Sequence, residues 1–260
     1  MIYEVDLAGV DLDGRPVLRD LSFALRPGER VVVLGVNGCG KTTLLRLLDG
    51  LVFATRGEVR YAGRALTAAS VGEAGFRLRF RGEVGLLFQN VDAMLFNPTV
   101  ADEIAFGPRQ LGLPDVQGRV ARWADVFGLG ELLGRAPFEL SGGEKKRVAL
   151  AALLAVDPKV LLLDEATANL DPAWSGRLVD LLTEMRDLTV VAATHNVSVA
   201  EEMGTRALLL APGRAGVLFD SSPADLLRNQ ALLVESGLAH RHVHRHRGET
   251  HAHFHVHDSE

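Results

Sequence analysis

Apolar and polar positions along the chain change period several times, and each change marks an element. Ile2–Leu7 and Val17–Leu25 are β-rich, and Asp13-Gly14 between them carries turn chemistry. A compact run, Arg30–Leu34, leads into a glycine-rich loop, and a helix is predicted over Lys41–Leu48, with leucines at 44, 45, 47 and 48. Strand-like pieces return at Gly57–Tyr61 and Glu83–Phe88. The stretch 92–157 reads as mostly helical, with Pro98, Pro108, Pro114 and Pro137 as punctuation. After it come Val160–Leu163, a helix from about Pro172 to Arg186, and a buried strand, Leu188–Ala193. Short apolar strands alternating with amphipathic helices predict a parallel sheet covered by helices on both faces. The helical stretch reads as a subdomain of about 92–157 inserted into an α/β domain of residues 1–238.

Histidine marks the other boundary. Eight of the nine histidines fall between His240 and His257, so 239–260 reads as a separate, low-complexity, disordered tail. A chain of 260 residues buries roughly 70% of its surface on folding, enough core to need no disulfide, and the single Cys39 could form none internally. The net charge of −5 argues against a general nucleic-acid binder. The longest strictly apolar run is Val148–Val156, well short of the roughly 20 residues a spanning helix needs. No basic start, apolar stretch and small-residue cleavage site opens the chain, so the expected location is cytoplasmic, any membrane association coming through a partner.

Three motifs carry chemistry. Gly35-Val36-Asn37-Gly38-Cys39-Gly40-Lys41-Thr42 fits G-x-x-x-x-G-K-[ST], with an apolar strand before it and a helix, beginning Lys41-Thr42-Thr43, after it. Glycines let the backbone wrap a phosphate closely, and amides around Gly38, Cys39 and Gly40 can then point at it from the positive end of the helix. Lys41 would bridge the β- and γ-phosphates, and the Thr42 hydroxyl would ligate Mg²⁺. The second motif is the buried strand Val160–Leu163 ending in Asp164-Glu165. Asp164 is placed to hold the Mg²⁺ water shell and Glu165 to polarise the attacking water. The third, Leu140-Ser141-Gly142-Gly143-Glu144-Lys145-Lys146-Arg147, precedes a helix running through Ala155. Ser141 and Glu144 have the spacing of a capping box, which alone would explain both residues. The two glycines go beyond capping, since they leave a bare helix start able to receive a phosphate.

In this order and spacing the three motifs resemble those of the ATP-binding-cassette ATPases, whose signature reads Leu-Ser-Gly-Gly. The resemblance covers residues 1 to about 238. It implies an α/β phosphate-loop ATPase core, the ABC-type nucleotide-binding domain, with an inserted helical subdomain and a His-rich tail. Gln89 matches the Q-loop glutamine, which senses Mg²⁺ and the attacking water. Ala168-Asn169-Leu170-Asp171 matches the D-loop, and His195 the switch histidine that contacts the γ-phosphate. The family works as a head-to-tail homodimer in which Ser141, Gly142 and Gly143 would complete the opposite subunit's nucleotide site. Two departures stand out. No aromatic occupies the neighbourhood of Val10 and Asp11, where the family stacks adenine, and Tyr3 is too early, so that contact is unassigned. Glu144 also replaces the more usual glutamine.

Between Phe88 and Pro108 the resemblance narrows to the energy-coupling-factor ATPases, in which this stretch contacts an integral membrane coupling protein; Met94 stands where a polar residue is common there. Physics alone also allows an ordinary packing helix for residues 92–112. In the tail, His240, His242, His244 and His246, then His251, His253, His255 and His257, alternate with other residues. Alternation places four imidazoles on one side of an extended chain. Neutral imidazole without thiolate suits Ni²⁺, Co²⁺, Cu²⁺ or Zn²⁺. A solvated end or an expression tag are the other readings, the interleaved arginines and acids arguing against a tag. The whole sequence predicts an ATPase, using ATP and Mg²⁺, on the cytoplasmic face of the membrane. Its tail, together with its resemblance to the cobalt/nickel branch of the energy-coupling-factor ATPases, implies that it drives cobalt or nickel uptake with a coupling protein and a metal-specific membrane component. The same machine importing a vitamin, an exporter ATPase, and a DNA-repair or chromosome ATPase are the alternatives. The last group carries long coiled-coil insertions between loop and signature, for which residues 43–139 leave no room.

Overall fold

The computed structural model describes residues 1–239 with their side chains and, beyond them, only the backbone of two paired strands, Ala239–His246 and Glu249–Val256. The chain forms two compact units, residues 1–67 with 190–260, and residues 68–189. The first opens with β1 (Tyr3–Leu12), β2 (Arg15–Leu25), β3 (Arg30–Leu34), α1 (Lys41–Leu48), β4 (Arg56–Tyr61) and β5 (Arg64–Ala65). The second contains α2 (Ala68–Gly72), α3 (Ala74–Glu83), β6 (Val84–Leu87), α4 (Val100–Gln110), α5 (Val116–Val126), α6 (Gly142–Leu154), β7 (Val160–Asp164) and α7 (Pro172–Glu184). The chain then enters β8 (Thr189–Thr194), α8 (Val197–Met203), β9 (Arg206–Leu209), β10 (Phe219–Ser221), α9 (Pro223–Arg228) and α10 (Gln230–Glu235).

In the first unit, β2, β1, β4 and β5 form an antiparallel sheet in that order. The β1–β2 turn has φ of 49° at Asp13 and 73° at Gly14, both positive as in the tight turn whose twist matches a hairpin. On β2, Leu18, Leu21, Phe23 and Leu25 are buried, giving the sheet one apolar face. Tyr3 packs against Tyr61 with ring centroids 5.0 Å apart, and its hydroxyl donates to the Leu48 carbonyl at 2.8 Å. A buried phenol needs such a partner, and this one fixes the sheet to the end of α1.

β3 lies parallel to both β8 and β9, and β10 pairs antiparallel with β9. Val31–Leu34, Val190–Ala193 and Ala207–Leu209 are buried without alternation, as expected of parallel strands covered on both faces. Each such Val or Leu contributes about 1.5–3 kcal/mol of burial. Arg206 secures the β9–β10 edge. Its guanidinium donates to Glu29 at 2.9 Å, to the Ala24 carbonyl at 2.8 Å and to both carboxylate oxygens of Asp220 at 2.5 and 2.7 Å.

In the second unit, β6 and β7 are a parallel pair, from Val84 opposite Val160 to Leu87 opposite Leu163. The expected helical insertion is present as α4, α5 and α6, with α4 packed on the other two around Ile104, Trp123 and Leu150. Each of the three starts at a capping side chain, Thr99, Asp115 and Ser141. Pro108 differs from expectation. It lies inside α4 rather than beside it, and the helix ends two residues later. Proline there removes the donor to the Ile104 carbonyl and its ring crowds that turn, a local cause for the helix to stop soon after. Among the described residues no helix is long and apolar enough to cross a membrane.

Candidate nucleotide site

The first unit brings β3, the glycine-rich loop 35–40 and α1 together in sequence. Gly40 is the N-terminal cap of α1 at φ 104°, and no side chain caps the helix start by a hydrogen bond. Its first-turn amides, which the helix cannot bond to itself, are what an anion takes. Gly38 has φ 81° and open space where a Cβ would stand. Lys41 is buried, and its ammonium donates back to the carbonyls of Gly35 at 2.6 Å and Val36 at 3.3 Å, so it spans the loop from inside. Thr42 and Thr43 follow on the first turn, and Asn37 is exposed at the loop tip. Cys39 is buried against Gly35, and burial pushes its thiol up despite Lys41 nearby; it is a packing residue of the loop. The β3–β8 register pairs Leu34 with Thr194, so Gly35 and His195 leave neighbouring parallel strands at the same edge. That edge, the carboxyl end of a parallel sheet, is where α/β folds bind ligands.

The second unit repeats the arrangement on its own strands. With Leu87 opposite Leu163, Gln89 and Glu165 both follow the same edge of the β6–β7 pair, next to Asp164 at the end of β7. Asp164 and Glu165 are buried, and Glu165 sits in the left-handed region at φ 51°. A non-glycine held there stores strain of about 1–3 kcal/mol, which surrounding contacts must fix. Within this unit Asp164 and Gln89 offer carboxylate and amide oxygens at one strand edge, hard donors of the kind Mg²⁺ prefers.

The signature turn has the geometry its sequence implies. The Ser141 hydroxyl accepts from the Glu144 amide at 3.4 Å, and the Glu144 carboxylate accepts from the Ser141 amide at 2.8 Å, a complete capping box. Hydrogen bonds from Ser141 hold the Glu144 carboxyl below its usual range. Gly142 has open space where a Cβ would be, whereas one on Gly143 would lie 3.3 Å from the Asn169 carbonyl. The Asp171 carboxylate is engaged locally, capping α7 by accepting from the Trp174 amide at 3.0 Å.

Some positions were missed from sequence. Lys146 is only 2% exposed and donates to the carbonyls of Glu165, at 2.8 Å, and Ala168. Burial lowers its pKa, against the opposing charges of Glu165 and Asp164. The signal was its helical spacing with buried Leu150 and Leu154, masked by the run Lys145-Lys146-Arg147. Met94, which departs from the family pattern, accepts the Phe88 amide on its sulfur at 3.4 Å. Tyr3 is wholly buried and Val10 nearly so, which removes both as adenine platforms. The tail histidines, His240 to His257, lie outside the residues whose side chains are described.

The profile of the ABC transporter family matches residues 18–168. The nickel import ATP-binding protein NikO of Rhodobacter capsulatus is 43% identical over 237 residues, 88% of this chain and 92% of that protein. The energy-coupling factor transporter ATP-binding protein EcfA of Methanothermobacter thermautotrophicus is 37% identical over 242 residues, 92% of this chain and 76% of that one. Among solved structures, cbiO1 from Clostridium perfringens, described as part of the ABC transporter complex cbiONQ, superposes with a TM-score of 0.75. It is 27% identical, over 91% of this chain and 94% of that chain.

Proposed function

We propose a transport role from one premise: the chain belongs to the ABC transporter family and is its ATP-hydrolysing subunit, of importer type. The finer reading is an energy-coupling-factor importer of nickel or cobalt ions. In it the Gly38–Thr43 amides and Lys41 hold the phosphates of ATP, and Mg²⁺, when bound, neutralises charge on them. Glu165 takes a proton from the attacking water, and Gln89 and His195 contact that water and the γ-phosphate. Ser141, Gly142 and Gly143 serve the nucleotide of a second, head-to-tail copy.

The observation that carries the importer reading lies in the second unit. Met94, Leu95, Phe96, Phe106, Leu111 and Leu153 line an open, apolar groove of about 280 Å³. Phe96 is 66% exposed and meets Phe106 edge-on, with centroids 4.9 Å apart. The groove is formed by the segment that resembles the coupling stretch of energy-coupling-factor ATPases, and an exposed apolar patch on a soluble face suits a partner. A membrane coupling protein is the proposed occupant, placing this chain peripherally at the cytoplasmic face. The likeness to a nickel import protein and the histidine-rich tail support the metal.

Uptake of radiolabelled Ni²⁺ and Co²⁺ in cells carrying the full transporter, each ion competing against the other, tests the reading. Energy-dependent uptake that Glu165→Gln abolishes is expected. No uptake of either ion, with vitamin uptake in its place, would overturn the metal assignment while leaving the ATPase intact.

A further inference from the structure

The buried ammonium of Lys146 has no part in the mechanism above, yet it occupies a junction of that machinery. It sits on α6, little more than one turn beyond the signature residues Ser141–Gly143. From there it reaches across to the loop after β7, donating to the carbonyl of Glu165 and to that of Ala168. The Ala168 amide in turn donates to the Glu165 carbonyl at 3.2 Å, so two donors converge on one oxygen. Glu165 is the residue held at φ 51°, a conformation that costs energy and persists only where its surroundings impose it. At 2% exposure, water cannot replace the ammonium as donor. Gly143 approaches the same loop at Asn169. Its ammonium brings three N–H donors and no acceptor to a place lined by carbonyl oxygens.

We propose that Lys146 is a positioning residue for hydrolysis: it fixes the backbone of Glu165, and so the direction of its carboxylate, to the helix that carries the signature. A shift of α6 at its start would then reach the Glu165 carbonyl through one side chain. The inference rests on the reading of Glu165 as general base. It adds a specific link between the helix start offered to a second subunit's nucleotide and the base of the subunit that owns the helix.

The test compares Lys146→Met with Lys146→Gln in the assembled transporter. The two replacements are nearly equal in size and both remove the charge, but only glutamine keeps N–H donors. Misplacing a catalytic group by about 1 Å can cost on the order of 100-fold in rate. Lys146→Met should lower kcat by roughly 10- to 100-fold, with ATP affinity, read from a fluorescent analogue, within about twofold of wild type. Lys146→Gln should recover part of that loss. In a Glu165→Gln background, Lys146→Met should lower the residual rate no further, since coupled residues are non-additive. Wild-type kcat in Lys146→Met, while Glu165→Gln alone abolishes turnover, would overturn the positioning role and leave the base intact. Equal loss in both Lys146 variants, with ATP affinity falling in parallel, would make Lys146 a structural residue only and overturn the proposal. Wild-type turnover in Glu165→Gln would remove the base reading, and the proposal with it.

Discussion

Adding one methyl group at either of two glycines in the phosphate loop should produce two different failures. A Cβ on Gly35, at φ 155°, would stand 2.5 Å from both the Cys39 sulfur and the Leu210 carbonyl oxygen. Ordinary contact begins near 3.4 Å, so something must move by about 0.9 Å, and one of the obstacles is backbone. Overpacking of this kind costs about 1–3 kcal/mol, and the glycine-only backbone conformation a further 1–3 kcal/mol. At about 4 kcal/mol in all, Gly35→Ala should lower Tm by about 8–16 °C. Gly38 is at φ 81°, but its Cβ would meet nothing within 4 Å. Gly38→Ala therefore carries only the left-handed penalty of about 1–2 kcal/mol, a fall of about 2–8 °C. Its methyl group would instead stand in open space at the loop tip, and if the loop holds the phosphates as proposed ATP affinity should fall more than tenfold, at least about 1.4 kcal/mol. Thermal unfolding with and without MgATP reads both effects, because a ligand raises Tm only as far as it binds the folded state. Gly35→Ala should show the low Tm, and Gly38→Ala the missing ATP-induced rise. Equal Tm losses in the two variants, or a normal ATP response in Gly38→Ala, would refute this account of the loop.

Lys41→Ala should weaken nucleotide binding itself by removing the phosphate contact, which titration of a fluorescent ATP analogue would show; unchanged affinity would place the nucleotide elsewhere. Ser141→Ala should cost about 1 kcal/mol of stability by removing the α6 cap, whereas Ser141→Arg should keep ATP binding but lose hydrolysis by placing a bulky cation over the helix start; full ATPase activity in the arginine variant would argue against a shared site. Cys39 should resist iodoacetamide in the folded protein and react once unfolded, because its thiol is buried and its pKa is raised. The sign follows: that protonated thiol favours the fold below the unfolded value of 9.0, a contribution lost as pH rises through the higher folded value. Mass spectrometry of the single cysteine checks it. Residues 240–260 should bind Ni²⁺ or Co²⁺ with affinity that falls between pH about 7.5 and 5.5, as protons compete for imidazole, and truncation after Leu238 should remove this without loss of basal ATPase activity. Calorimetry on the full-length and truncated chains at both pH values would show it.

The sequence by itself determined the parts whose physics is local. The phosphate loop is legible because consecutive residues must supply glycine torsions, a lysine and a helix start, and the chain writes them in order from Gly35 to Thr42. The capping box at Ser141 and Glu144 is legible for the same reason, as is the Asp13-Gly14 turn. The uniformly apolar runs of β3, β7 and β8 announced strands covered on both sides. Tertiary structure decided everything that depends on partners far apart in the chain. Strand register placed Gln89 beside Glu165, and Gly35 beside His195, at shared sheet edges. Packing withdrew Tyr3 into the core, where its hydroxyl finds Leu48, and put Pro108 inside α4, where the helix was already ending. It also turned Lys146, one of three adjacent cations, into a buried donor for carbonyls 19 and 22 residues away. A side chain's own chemistry is written at its position, but whether it meets water or a carbonyl depends on which distant backbone the fold brings to it.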